Sequence, residues 1–177
     1  MAVLPIVKYG SPILRKKASL VDPKDPGLKK LAQDMKETMA RERGVGLAGN
    51  QVGELKQIAI IDLSCGVEGG QAIAILNPRI VDKSGEEECD EGCLSFPDIR
   101  GTIVRFAFCR VKALDLDGKP MEINGQGMLA RVLQHEIDHL NGVLFVDKMK
   151  AASKALVTGK LKELQKQAKK TLAKRSR

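Results

Sequence analysis

Histidine is scarce in this chain: of its 177 residues only two, His135 and His139, are histidines. Long apolar runs are missing as well. No stretch approaches the roughly 20 apolar residues that a membrane-spanning helix needs, which excludes that class. The first ten residues carry one basic side chain, Lys8, after a very short apolar stretch. That is unlike a secretory signal, so a cytoplasmic address is expected. The four cysteines (Cys65, Cys89, Cys93, Cys109) then read as thiols or metal ligands before disulfides. Neither an internal repeat nor a domain linker is evident, and the length suits one domain with an ordinary core.

Acidic residues are absent from the C-terminal segment except for Glu163. Residues 148–177 hold eleven lysines and arginines against that single acid, a net charge of +10 out of +8 for the whole chain. The preceding 147 residues hold 19 basic and 21 acidic residues, a net −2. Only the C-terminal segment therefore carries a signal for a polyanionic partner.

Apolar spacing predicts a helix over residues 26–43, with Leu28, Leu31, Ala32, Met35 and Met39 on one face, Asp25 as N-cap and Gly44 as its stop. A glycine-rich stretch follows at residues 44–53. Small residues at Gly46, Ala48 and Gly49 let backbone approach a ligand closely, and it reads as a loop entering a strand. Residues 57–62, 72–77, 102–116 and 121–123 read as short strands between turn residues. A second helix spans residues 126–140 and ends at Asn141-Gly142. A last helix over residues 154–173 places Leu156, Val157, Leu161, Leu164, Ala168 and Leu172 on one stripe among lysines. The expected fold class is α+β: a small mixed, mainly antiparallel sheet around a central helix, with a basic C-terminal helix. Residues 1–150 form the body of the single domain, and residues 151–177 belong to it as that last helix.

The central helix carries Gln134-His-Glu-Ile-Asp-His139, which contains His-Glu-x-x-His. Four-residue spacing places both imidazoles on one helix face, one turn apart, where they can reach one metal ion. A chance origin of that spacing with a glutamate in place is on the order of 1 in 1,000, so coincidence explains it poorly. Glu136 follows a ligand directly and projects beside the metal, as suits a general base for an attacking water. Asp138 reads as a surface ion pair or as a group orienting a ligand.

A catalytic centre of this type needs a third protein ligand. No further histidine exists, and Phe145 stands where the extended metzincin pattern has its last one. Downstream carboxylates are confined to Asp147 and Glu163. The ligand is therefore expected upstream, where Glu91-Gly-Cys-Leu-Ser-Phe-Pro97 offers Cys93 between a glycine and a turn. Cys89 is the rival, in an acidic run that raises its thiol pKa. Cys65 and Cys109 need no function.

With those residues assembled, residues 3–150 resemble the peptide deformylase family through three motifs. Residues 44–51 resemble Gly-φ-Gly-φ-Ala-Ala-Pro-Gln, where φ is apolar; residues 91–95 resemble Glu-Gly-Cys-Leu-Ser; residues 134–139 resemble Gln-His-Glu-φ-Asp-His. Gly49 and Asn50 depart from the first motif, standing where the family has alanine and proline, and a looser loop with a less preorganised Gln51 is expected.

The resemblance implies that Cys93, His135 and His139 bind one divalent metal, natively iron(II), with zinc, nickel or cobalt as replacements. It implies that Glu136 takes the proton of the attacking water and returns it to the leaving amine. The Gln51 amide and the Leu94 backbone N–H would hold the oxyanion, and the backbone at Gly46 would pair with an N-formylmethionyl peptide. Val45, Leu129 and Val132 are candidates for an apolar pocket around the methionine. The basic helix would dock on the RNA-rich ribosome. Two rivals are a zinc endopeptidase and a noncatalytic zinc-stabilised RNA-binding module. The first lacks third-ligand candidates, and the second leaves Glu136 without a task.

Overall fold

A computed structural model of the chain describes residues 2–67 and 70–175. Helix α1 (Gly27–Arg41) buries Leu28, Ala32, Met35 and Met39, the stripe predicted by the apolar spacing. Asp25 fixes its start, accepting the Gly27 N–H at 2.8 Å. Its stop differs from expectation. Arg43, not Gly44, takes the left-handed conformation at φ 55°. The Gly44 N–H bonds Met39 O at 2.9 Å and the Arg43 N–H bonds Ala40 O at 3.1 Å, a Schellman closure. Gly44 packs against Leu94: a Cβ there would stand 2.9 Å from Leu94 Cδ1, the end of a flexible side chain.

The glycine-rich stretch is itself a strand for part of its length, β1 (Gly46–Ala48), and then tightens into a 3-10 turn, Gly49–Val52. Strands β2 (Ile58–Asp62) and β3 (Ala72–Ser84) follow. The strand expected over residues 102–116 is two, β5 (Phe96–Arg105) and β6 (Phe108–Leu114), and β5 pairs with an unexpected strand, β4 (Glu87–Cys93). The acidic residues of β4 hid it, because they lower strand propensity; Glu88 and Asp90 point outward, while Glu91 is buried. Strand β7 (Pro120–Gln126) completes a five-stranded sheet in the order β1-β2-β3-β6-β7, beside the two-stranded β4–β5. Among the described residues, all five strand pairings are antiparallel, and the parallel contribution is an isolated bridge between Ser19 and Lys56.

Alternation places the two faces of β2 in different cores. Ala59 and Ile61 face helix α2 (Gly127–Leu140) through Ala130, Leu133, Ile137 and Leu140, whereas Ile58 and Ile60 face α1. The sheet thus lies between α2 and α1. A third apolar cluster joins the β4–β5 hairpin, through Cys89, Ile99 and Ile103, to the short helix α3 (Phe145–Lys148) and to helix α4 (Ala151–Arg175). Helix α4 begins three residues earlier than expected and contributes the buried Leu161, with Val157 and Leu164 packed beside it. Leu156 is off that stripe at 87% exposed. The Leu172 side chain lies outside the described residues.

Candidate metal centre

The three candidate ligand residues come from two elements that the fold presses together. Cys93 ends β4, and Leu94-Ser95 form the two-residue turn into β5, with Cys93 paired to Phe96. His135 and His139 project from α2 one turn apart. Cys93 Sγ lies 3.2 Å from His139 Nε2, which lies 3.2 Å from His135 Nε2. The three donor atoms all fall within 4.8 Å of one another. Bond lengths of about 2.0–2.1 Å to nitrogen and 2.3 Å to sulfur put tetrahedral ligand atoms roughly 3.3–3.6 Å apart. The two 3.2 Å separations come close to that spacing, and the thiol and imidazole donor set fits a divalent transition metal.

Cys89, the rival, is not part of this group: it is buried in the hairpin core, with its Sγ 3.9 Å from Glu91 Oε1. Burial raises its thiol pKa, and Glu91 raises it further. Cys65 sits in the turn after β2, and Cys109 is buried in β6.

His135 is oriented from behind. Its Nδ1 lies 2.9 Å from Glu91 Oε2, and Glu91 also accepts from Arg105 Nε at 2.8 Å and Nη2 at 3.0 Å. Arg105 reaches onward to Asp138, which Lys148 contacts at 2.6 Å. Burial alone would raise the Glu91 carboxyl; the hydrogen bonds from His135 and Arg105 outweigh it and hold the pKa at about 2. Burial opposes charge on His135, but the Cys93 and Glu91 contacts raise its pKa, whereas burial and neighbouring His135 lower that of His139. Asp138 is therefore an ion pair and also the outer end of a chain that reaches His135 through Arg105 and Glu91. Gln134 in the same motif is a fastener: its amide accepts the Phe106 N–H at 3.0 Å and donates to Phe106 O at 2.9 Å.

Gln51 reaches the cysteine from the 3-10 turn. Its Oε1 accepts the Ala48 N–H at 2.8 Å, which aims Nε2 at Cys93 Sγ and Ser95 Oγ, each 3.4 Å away. The Ser95 N–H also points at that sulfur, at 3.4 Å. Lys8 Nζ donates to Leu94 O at 2.9 Å, and the Tyr9 N–H to Ser95 O at 2.9 Å, so the N-terminal segment pins the turn that follows Cys93.

These groups border a cleft of about 640 Å³ lined by Gly46, Gln51, Cys93, Leu94, His135 and Glu136 among others. Its floor is Glu136, 3% exposed, whose Oε2 has no hydrogen-bond partner among the described residues. Burial pushes its carboxyl pKa up to about 7. Gly46 makes room for it: a Cβ at 46 would stand 2.8 Å from Glu136 Cδ and 2.9 Å from Cγ. Val45 and Val132 line the cleft, but Leu129 does not; it packs on the core between α2 and the sheet.

Two contributors were missed in the sequence, Arg105 and the orienting part of Glu91. A signal existed for each. Ile99, Gly101, Ile103 and Arg105 alternate inward along β5, and Glu91 sits two residues from Cys93 on the inward face of β4.

Comparison with known proteins agrees with this geometry. The family model for polypeptide deformylase matches residues 3–155. The peptide deformylase of Acidobacterium capsulatum is 41% identical over 165 residues, 93% of this chain and 97% of that one. That of Desulfitobacterium hafniense is 46% identical over 154 residues, 87% of this chain and 99% of that one. The crystal structure of a peptide deformylase from Legionella pneumophila superposes with a TM-score of 0.84 at 42% identity, covering 97% of this chain and 98% of that chain. That from Thermus thermophilus gives 0.86 at 36% identity, with 94% and 99% covered. Three ligand-type donors converging beside a buried glutamate on a chain so matched mean that this protein belongs to the peptide deformylase family, metal-dependent hydrolases that remove the formyl group from the N-terminal formyl-methionine of nascent polypeptides and release formate.

Proposed function

We propose that Cys93, His135 and His139 hold the single divalent cation, natively iron(II), with zinc, nickel or cobalt able to replace it. When bound, that ion supplies Lewis-acid activation of the water and the formyl group. Glu136 takes the proton of the attacking water at its free Oε2 and delivers it to the nitrogen of the leaving amine. The Gln51 side-chain amide and the Leu94 backbone N–H donate to the oxygen on which negative charge develops. Gly46, on the edge of the five-stranded sheet, pairs its backbone with the extended peptide, while Val45 and Val132 contact the methionine side chain.

The observation that carries this reading is the buried Glu136 carboxylate, unpartnered at Oε2, on the floor of a cleft beside three converging donors. A purely structural ion would need no such group. The test is reconstitution: protein stripped by a chelator, then loaded without oxygen with iron(II), zinc, nickel or cobalt in turn. Formate release from formyl-Met-Ala-Ser should return with each ion and be greatest with iron(II). Equal activity in the stripped protein would overturn the ligand assignment.

The C-terminal helix belongs to the same domain, because Leu161 completes the hairpin core and Gln165 Nε2 donates to the Tyr9 hydroxyl at 3.0 Å. Its lysines, among them the exposed Lys162, Lys166 and Lys169, dock the enzyme on ribosomal RNA by counterion release. The enzyme works in the cytoplasm, beside the emerging chain; among the described residues no helix is long and apolar enough to cross a membrane.

A further inference from the structure

Asn50 is fully buried in the 3-10 turn that carries Gln51, yet it is not among the residues that line the cleft. Its Nδ2 donates to the carbonyl of Lys16 at 2.7 Å. A carbonyl only accepts, so the amide orientation follows from that partner. Its Oδ1 has no partner among the described residues, which leaves the Lys16 bond as the polar contact that pays for burying the amide.

Lys16 is not a loose end. The Ala18 N–H bonds Leu140 O at 2.9 Å, and Gln57 Nε2 bridges Ala18 O and Leu140 O at 3.2 and 3.3 Å. Gly142, just past α2, lies so close to Arg15 that a Cβ there would stand 2.8 Å from the Arg15 carbonyl carbon. The segment around residue 16 is thereby fixed to the C-terminal end of the helix that carries His135, Glu136 and His139. On the other side of the turn, a Cβ at Gly49 would stand 2.7 Å from Lys56 O and 2.9 Å from Glu54 O, so the backbone is pressed against its neighbours and has one seat.

We infer that Asn50 is a positioning residue for Gln51: its side chain ties the Gln51 turn to the end of α2, setting the oxyanion donor in register with the ligand helix. This rests on the reading of Gln51 as an oxyanion donor. Without the Lys16 bond, the turn keeps its backbone bonds and the Gln51–Ala48 contact but loses its tie to the end of α2, and the 3.4 Å approach of Gln51 Nε2 to Cys93 Sγ loosens. Displacements of a fraction of an ångström at a donor are costly for turnover.

The test is a double-mutant cycle on the metal-loaded full chain, comparing the parent, Asn50→Leu, Gln51→Ala and the double variant. Asn50→Leu should lower kcat roughly 5- to 50-fold with KM and metal content close to the parent. It should add less than about 2-fold to Gln51→Ala, because the group it positions is then gone. Should Asn50→Leu fail to fold, Asn50→Ala is read in the same way. A parent-like kcat for the Asn50 variant with a slow Gln51→Ala overturns the inference and spares the Gln51 reading. Equal losses in both backgrounds overturn it too, since a merely structural role acts independently of Gln51. A parent-like Gln51→Ala defeats the Gln51 reading itself.

Discussion

The carboxylate of Glu136 occupies the space that any side chain at residue 46 would fill, with its Cδ only 2.8 Å from the place of the missing Cβ. Glycine at 46 is thus a condition for burying the glutamate, in addition to offering its backbone. Gly46→Ala should displace Glu136 and lower kcat by about 100-fold or more, while the metal content stays full. Steady-state kinetics with metal analysis checks this. A rise in KM at unchanged kcat would instead assign Gly46 to peptide binding alone.

Cys93→Ser should empty the metal centre, and Cys89→Ser should leave it full, because the Cys89 sulfur lies in the hairpin core facing Glu91. Metal analysis of the two variants decides the assignment. A full site in Cys93→Ser would contradict it.

Arg105→Ala should weaken metal retention about 10- to 100-fold, since Glu91 then orients His135 without its support. It also leaves a buried carboxylate short of its cation, a loss of about 3–5 kcal/mol in unfolding free energy. Chelator competition and denaturant unfolding measure the two effects. Metal affinity equal to the parent would show that the chain from Asp138 to His135 is idle.

Asp147 accepts the Leu144 N–H at 3.0 Å and pairs with Arg15. Burial opposes its charge, yet the Arg15 hydrogen bonds and the Leu144 N–H hold its carboxyl below the usual value. A depressed carboxyl contributes stability that is present above its unfolded pKa and lost as pH falls through the folded one. The stability difference between the parent and Asp147→Asn should therefore be constant above about pH 5 and shrink below about pH 4. Unfolding at several pH values tests this, and a difference that grows on acidification would contradict it.

Charge reversal of Lys162, Lys166 and Lys169 should weaken ribosome co-sedimentation and lower its salt slope by about 1 per lysine lost. These side chains are exposed, so hydrolysis of a short formylated peptide should hold. Truncation of α4 is a poorer probe because it strips Leu161 from the hairpin core. Unchanged sedimentation at low salt would defeat ribosome docking.

The helix that carries both histidines was legible because their helical spacing is a local pattern, and the α+β class followed from helices flanking short strands. The hairpin β4–β5 was not, since Glu88 and Asp90 disguise a strand whose inward face is Cys89, Glu91 and Cys93. Pairing across a turn is a property of two segments, and neither alone carries it. The Asn50 position shows the same limit: its replacement of proline reads as lost stiffness, while its tie to Lys16, 34 residues away in the chain, exists only in the fold. Arg43 at positive φ ends α1 against the preference for glycine, although Gly44 stands one residue later.

The most direct test of the catalytic centre is Glu136→Ala, assayed for metal content and for formate release from formyl-Met-Ala-Ser in one preparation. A proton carrier that is not a ligand predicts a full complement of metal with turnover lowered by about 100-fold or more. Turnover near that of the parent, or loss of metal together with activity, would contradict it.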